Sequence, residues 1–216
     1  MKQLLLFSFF VSTLGFAQSQ DAEVWTGIGL KANINKKFSL KYESQARFFK
    51  NASTLKTYYN ELAANYEVID NLKLGASYRY SRRNRESHFA SDNRISLNSS
   101  YGFKLGKTGL KLKTRARYQY SFNRFGVIND FIYPDIDHLF RCKFELAYKN
   151  KSVKRISPFV GYELFKNIQP AGVIGLDAYR AYGGLDFDLP ARHELQLKYI
   201  YELENGNQPS LSLIHI

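Results

Sequence analysis

The sequence predicts an all-β protein, an antiparallel up-and-down transmembrane β-barrel of about 10 to 12 strands, in which apolar and charged residues alternate with a period of two. Two further observations separate it from a soluble sandwich or cup. Several alternating segments run about 10 to 13 residues, the length of a tilted membrane crossing, where soluble strands average roughly 5 to 6. Aromatic residues also gather at the ends of the apolar faces, where membrane interfaces favour them, as with Tyr78 and Tyr80, Tyr118 to Phe122, and Tyr199 with Tyr201.

The start of the chain lies outside this pattern. Lys2, an apolar run over 4–11 and small residues at Gly15 and Ala17 make residues 1–17 a cleaved secretory signal peptide. The run is too short for a spanning helix, and no later stretch reaches the roughly 18 apolar residues one needs. The barrel is therefore expected over 18–210, in the outer membrane of a Gram-negative cell. Cys142 is the only cysteine, so no internal disulfide holds the exported chain together.

The alternation begins weakly over 24–34. It is clear in the next segment, where Phe38, Leu40, Tyr42, Ala46 and Phe48 oppose Ser39, Lys41, Glu43, Gln45 and Arg47. It is weak over 58–68, then returns with Leu72, Leu74, Ala76, Tyr78 and Tyr80 against Lys73, Gly75, Ser77 and Arg79. Ile95, Leu97, Tyr101 and Phe103 oppose Arg94, Ser96, Asn98 and Lys104. The strongest segment sets Leu110, Leu112, Ala116, Tyr118, Tyr120 and Phe122 against Lys111, Lys113, Arg115, Arg117 and Gln119. Phe140, Cys142, Phe144, Leu146 and Tyr148 then oppose Arg141, Lys143, Glu145 and Lys149, and weaker segments follow at 156–164, 179–187 and 195–201.

Short turns are expected at 35–37, 70–71, 106–109, 150–153 and 186–192, and longer loops at 83–92, 123–137, 166–176 and 203–209. Barrels have short periplasmic turns and long outer loops, which would start segment 24–34 on the outer side. Either that segment is not a full crossing or the first turn is an exception. At the other end, Leu211-Ser212-Leu213-Ile214-His215-Ile216 is similar to the translation of an adapter used in sequencing libraries, so 211–216 is expected to be a non-native read-through tail. On that reading the barrel lacks its last strand after Ser210; a short closing strand is the alternative.

The chain carries 31 Lys and Arg against 19 Asp and Glu, and losing Lys2 with the leader leaves 30 against 19, or +11. With the apolar face toward lipid, Glu43, Arg47, Glu61, Arg79, Arg94, Arg115, Arg117, Arg141, Glu145, Glu163, Arg180 and Lys198 face a charged, net basic lumen. Such charges are either paired into a hydrated filling or form a path for a small anionic solute. Outer-membrane lipids and, during insertion, the barrel-assembly machinery are the expected partners; nucleic acid is not, and no cofactor is expected.

Catalysis needs a nucleophile, a base and an oxyanion site within reach. Ser87 beside His88 is the one close pair that a lipid hydrolase or deacylase would use, and a solvated loop tip is its plainer reading. His138 and His193 stand alone at loop ends. Asp130, Asp135 and Asp137 lack the glycine and terminal glutamate of a calcium loop. Gly27 with Gly29, and Gly183 with Gly184, read as places where a sheet bends. No enzyme is expected, and a surface scaffold acting through 123–137 and 166–176 is a third reading.

The Trp25 opening, the Glu43 to Arg47 strand, Tyr78-Arg79-Tyr80, Arg115-Ala116-Arg117-Tyr118-Gln119-Tyr120, Glu163-Leu164-Phe165 and Tyr179-Arg180 together resemble the domain of unknown function 2490 family. The similarity covers essentially the whole mature chain, and Arg-x-Arg-Tyr-Gln is its most specific part. The resemblance implies an outer-membrane barrel with no assigned activity and supplies no catalytic residues. The family's last strand ends in aromatic residues, which 211–216 does not.

Overall fold

The structure is a computed structural model that describes residues 22–85, 88–106, 108–123, 126–128, 131–133, 136–149, 155–168, 177–190, 193–204 and 210–215. The expected leader at 1–17 lies outside the described residues. Strands β1 (Ala22–Asn33), β2 (Phe38–Phe49), β3 (Thr54–Ile69), β4 (Leu72–Asn84), β5 (Phe89–Lys104) and β6 (Leu110–Asn123) pair in sequence order. A hairpin of β7 (Gly126–Ile128) and β8 (Phe131–Tyr133) interrupts them. The meander resumes with β9 (Ile136–Tyr148), β10 (Ile156–Asn167), β11 (Ala178–Asp188), β12 (Glu194–Glu204) and β13 (Ser210–His215), and the sheet closes through β13 and β1.

Eleven strands form the ring, so antiparallel pairing cannot continue all the way round. The one parallel pair is β1 with β13, while β13 pairs antiparallel with β12. Residues 210–215 are thus a paired strand.

Period-two alternation fixes which face each residue takes, and the register carries the assignment from strand to strand. Ile28 and Leu30 on β1 are each 66% exposed on the outside, while Trp25 on the same strand is 5% exposed on the inside. Leu62, Leu74, Leu97, Phe144, Val160 and Leu197 continue the apolar exterior. At the end where β1 starts, Tyr162 and Tyr179 stack at 6.0 Å, and at the other end Tyr101 and Phe103 lie 5.8 Å apart. The surface is greasy in the middle and aromatic toward both rims.

Neither account of the first segment holds. β1 pairs with β2 from Val24 to Asn33, a complete crossing, and the 34–37 turn lies at the same end as the other short turns. The chain instead enters at the end bearing the longer connections, and the tight 50–53 turn between β2 and β3, which the alternation did not mark, shares that end. There Lys50, Asn51 and Ala52 all take left-handed backbone, and the Lys50 carbonyl accepts bonds from the Ser53 amide and hydroxyl. The loop expected over 83–92 is also mostly strand, since β4 runs to Asn84 and β5 starts at Phe89. At the short-turn end, Asn35 Oδ1 accepts from the amides of Lys37 and Phe38, and Asn71 takes the left-handed conformation that asparagine tolerates.

Candidate functional site: the charged lumen

The inner face is best described as rows running across the strands, since residues paired in register stand side by side about 5 Å apart. One row passes from Glu67 through Lys73, Ser100, Arg115, Lys143, Glu163 and Arg180 to Glu202. Its centre is Glu163, whose carboxylate meets Arg141 at 2.9 Å, Arg115 at 3.1 Å and Arg180 at 3.5 Å. Arg180 also clamps Glu202 with two bonds of 2.8 Å from one nitrogen. Glu145 receives Lys143 at 2.8 Å and Lys113 at 3.0 Å.

A second group lies on β2 to β5. Arg79 donates to Glu61 at 2.6 Å, and Tyr59 donates to Glu43 at 2.5 Å, which also holds Lys41 at 2.6 Å. Arg94, directly opposite Arg79, bonds Ser121 at 2.9 Å and reaches Asp92 at 3.4 Å. Three of the predicted cations meet no carboxylate among the described residues. Arg47 donates to Gln45 at 2.9 Å, Arg117 donates to the Asn98 amide oxygen, and Lys198 sits 3.9 Å over the Tyr182 ring.

All twelve predicted lumen residues are on the inner face. Eleven of them line one cavity of about 700 Å³, and Glu145 lines a neighbouring one of about 620 Å³ toward the short turns. Ten basic side chains and five carboxylates line the larger cavity, and Asp92 and Glu145, outside that lining, pair with Arg94 and Lys143. The cavities share Ser100, Arg115 and Lys143.

The alternation missed the interior aromatics. Trp25, Phe159 and Tyr182 form a buried cluster with Ala147 and Ile200, and Tyr59 and Phe165 also face inward. Guanidinium groups lie against these rings: Arg47 is 3.8 Å from the Trp25 centroid, Arg79 3.7 Å from Tyr59, and Arg141 and Arg180 lie 4.6 and 4.9 Å from Phe165. A ring face attracts a cation while shedding water, so these rings hold arginines that lack a full complement of carboxylates. The available signal was parity, since Trp25 is in phase with Glu23 and Tyr182 with Arg180.

The other candidates separate. Ser87 lies outside the described residues, and the His88 carbonyl accepts from the Arg85 amide. His138 is not alone: it lies in β9 on the outer face and its Nδ1 bonds the Tyr118 hydroxyl at 2.6 Å. His193 directly precedes β12, and its carbonyl accepts from the Leu189 amide. Asp130 and Asp135 lie outside the described residues, and Asp137 is in β9.

A family model described as protein of unknown function (DUF2490) matches residues 22–211. The chain belongs to this family. The match spans the barrel from β1 into β13, including the Arg115 to Gln119 stretch that lines the cavities. No curated protein matches this DUF2490 chain. Among solved structures it is similar to the β domain of the Bordetella autotransporter BrkA, at 13% identity over 87% of this chain and 84% of that one, with a TM-score of 0.49. A structure from work on the in-meso crystallization of membrane proteins matches at 14% identity over 88% of this chain and 77% of the other, with a TM-score of 0.44.

Proposed function

We propose that this protein is an exported barrel of a Gram-negative outer membrane, and that its lumen gives passive passage to small anionic solutes. The observation that carries the reading is the charge imbalance around the central cavity, ten basic side chains against five lining carboxylates and the two, Asp92 and Glu145, that pair with Arg94 and Lys143 from outside the lining. Charge taken out of bulk water is costly unless matched, so a lumen that served only as filling would be expected to balance its ions. Positive surplus in a hydrated interior instead offers anions a favourable place to enter, as rings of Arg and Lys do in anion pores. The apolar exterior and its aromatic rims support the membrane location, because they leave the charged face no role in contacting lipid. The leader at 1–17 supports export.

The reading assigns neither catalysis nor a cofactor. Its partners are the surrounding lipids, the assembly machinery at insertion and the solute itself. Purified barrel in a planar bilayer under a potassium chloride gradient should give a reversal potential of the sign that marks chloride as the faster ion. A closed barrel, or one that prefers potassium, defeats the proposal.

A further inference from the structure

We infer that the lumen holds a discrete site for a doubly charged oxyanion of the phosphate class, built from Arg117, Arg141, Arg115 and Asn98 on the wall of the larger cavity, beside its junction with the smaller one at Arg115. The inference rests on the reading of the lumen as an anion compartment and narrows it from a path to a binding site.

The first support is the row that contains Arg117. It runs from Asn33 through Ser39, Asn65, Gly75, Asn98, Arg117, Arg141, Phe165 and Ala178 and meets an acidic residue only at its far end, at Glu204 on β12. Within it Arg117 and Arg141 stand directly opposite each other on β6 and β9. Like charges in that position destabilise a sheet unless something negative lies between or over them. Two rows above, the facing pair Arg79 and Arg94 is different, since these arginines have Glu61 and Asp92.

The second support is unused hydrogen-bonding capacity. The Nε atoms of Arg115 and Arg141 are buried without a partner among the described residues. Arg117 spends its Nε on the neutral Asn98 oxygen. Glu163 serves Arg115 and Arg141 together but gives no contact to Arg117. If Lys143 is matched to Glu145, Arg180 to Glu202 and Glu163 to one of the remaining arginines, two positive charges stay unmatched, the number a phosphate dianion brings.

The third support is place and shape. Arg115 belongs to the lining of both cavities, so a ligand held there sits at their junction. Guanidinium forks bind tetrahedral and planar oxyanions through paired N–H bonds, which a lysine does not reproduce. The 700 Å³ cavity also has room for a phosphomonoester.

The test is calorimetric titration of the detergent-folded barrel with inorganic phosphate, beside the bilayer measurement. The natural chain should bind one phosphate saturably. Arg117→Gln should weaken binding by roughly tenfold or more, the scale of losing a charge-assisted hydrogen bond, while Lys36→Gln in the exposed 34–37 turn should leave it within about twofold. Asn98→Asp guards against misfolding, because its carboxylate would pair with Arg117, firm the sheet and abolish phosphate binding. Absence of saturable binding by the natural chain, or phosphate binding by Asn98→Asp at natural strength, overturns the site. A chloride-selective barrel that does not bind phosphate loses the site and keeps the passage; a barrel that binds phosphate but does not conduct anions keeps the site and loses the passage.

Discussion

The ring of Tyr182 on β11 occupies the space over Gly161, its register partner on β10: a Cβ built on Gly161 would come within 2.2 Å of the tyrosine Cζ and Oη. Tyr182 has little room to yield, since Phe159 lies 6.2 Å away centroid to centroid and Lys198 presses on its face at 3.9 Å. Gly161→Ala should therefore overpack the interior and lower unfolding stability by about 1 to 3 kcal/mol. Urea titration of the refolded barrel measures this, and a value near zero would mean that the ring moves aside freely.

Gly183 and Gly184 are neighbours in β11 with opposite fates. A Cβ at inward Gly184 would lie 2.1 Å from the Leu197 carbonyl oxygen and 2.7 Å from Phe159 Cζ, whereas at outward Gly183 its nearest neighbour is 3.5 Å away. Gly184→Ala must shift backbone, while Gly183→Ala meets ordinary contact distances. The first should fail to give the compact, heat-modifiable band of a folded barrel on a gel, or give it in reduced yield, and the second should fold as the natural chain does. Equal behaviour would show that the close approach at Gly184 is not limiting.

These glycines mark where sequence reading reached its limit. The pleat makes each residue of segments such as 38–48 or 110–122 declare its face, so those strands and their inward charges were legible from alternation alone. β1, β10 and β11 gave weaker signals because rings occur on their inner face too, at Trp25, Phe159, Phe165 and Tyr182, and β12 because Ile200 is buried on its inner face. That a tyrosine covers a glycine one strand away depends on register, which no single segment encodes. Ion pairing is hidden for the same reason: Glu163 and Arg115 are 48 residues apart and meet only because β9 places Arg141 and Lys143 between them.

Glu163 is 5% exposed at its side chain and is the carboxylate common to Arg115, Arg141 and Arg180. Glu163→Gln keeps the shape and removes the charge, leaving arginines that must face one another. Stability should fall by about 3 kcal/mol, the low end of what breaking a buried ion pair costs, and conductance should become more anion-selective. A fall in both stability and anion preference would contradict the role given to the arginines, since the mutation only adds net positive charge to the lumen.

Leu97 lies midway along β5 on the outer face and is 57% exposed. In a bilayer, Leu97→Arg puts a charge near the midplane and should cost about 2 to 4 kcal/mol, whereas Ile34→Arg at the short-turn rim should cost at most about 1. Folding into lipid vesicles separates the two. Equal and small costs would mean that water, not lipid, touches this face, and the membrane assignment would fail with it.

Trp25 is the only tryptophan in the chain, so its fluorescence reports one place. It faces the lumen, 5% exposed, with Arg47 stacked 3.8 Å from the ring centroid and its Nε1 donating to Glu23 at 3.1 Å. A tryptophan on the outside of a barrel in vesicles is quenched by brominated lipid tails; Trp25 should be spared them because the sheet lies between. An anionic quencher such as iodide should reach it if the basic lumen admits anions, and more effectively than caesium, since Arg47 and its neighbours attract one ion and repel the other. Arg47→Gln should narrow that difference and shift the emission, because the stacked cation is gone. Strong quenching by brominated tails would place Trp25 on the lipid side and invert the face assignment of β1; caesium acting as well as iodide would leave the face assignment standing and remove the electrostatic basis for anion entry.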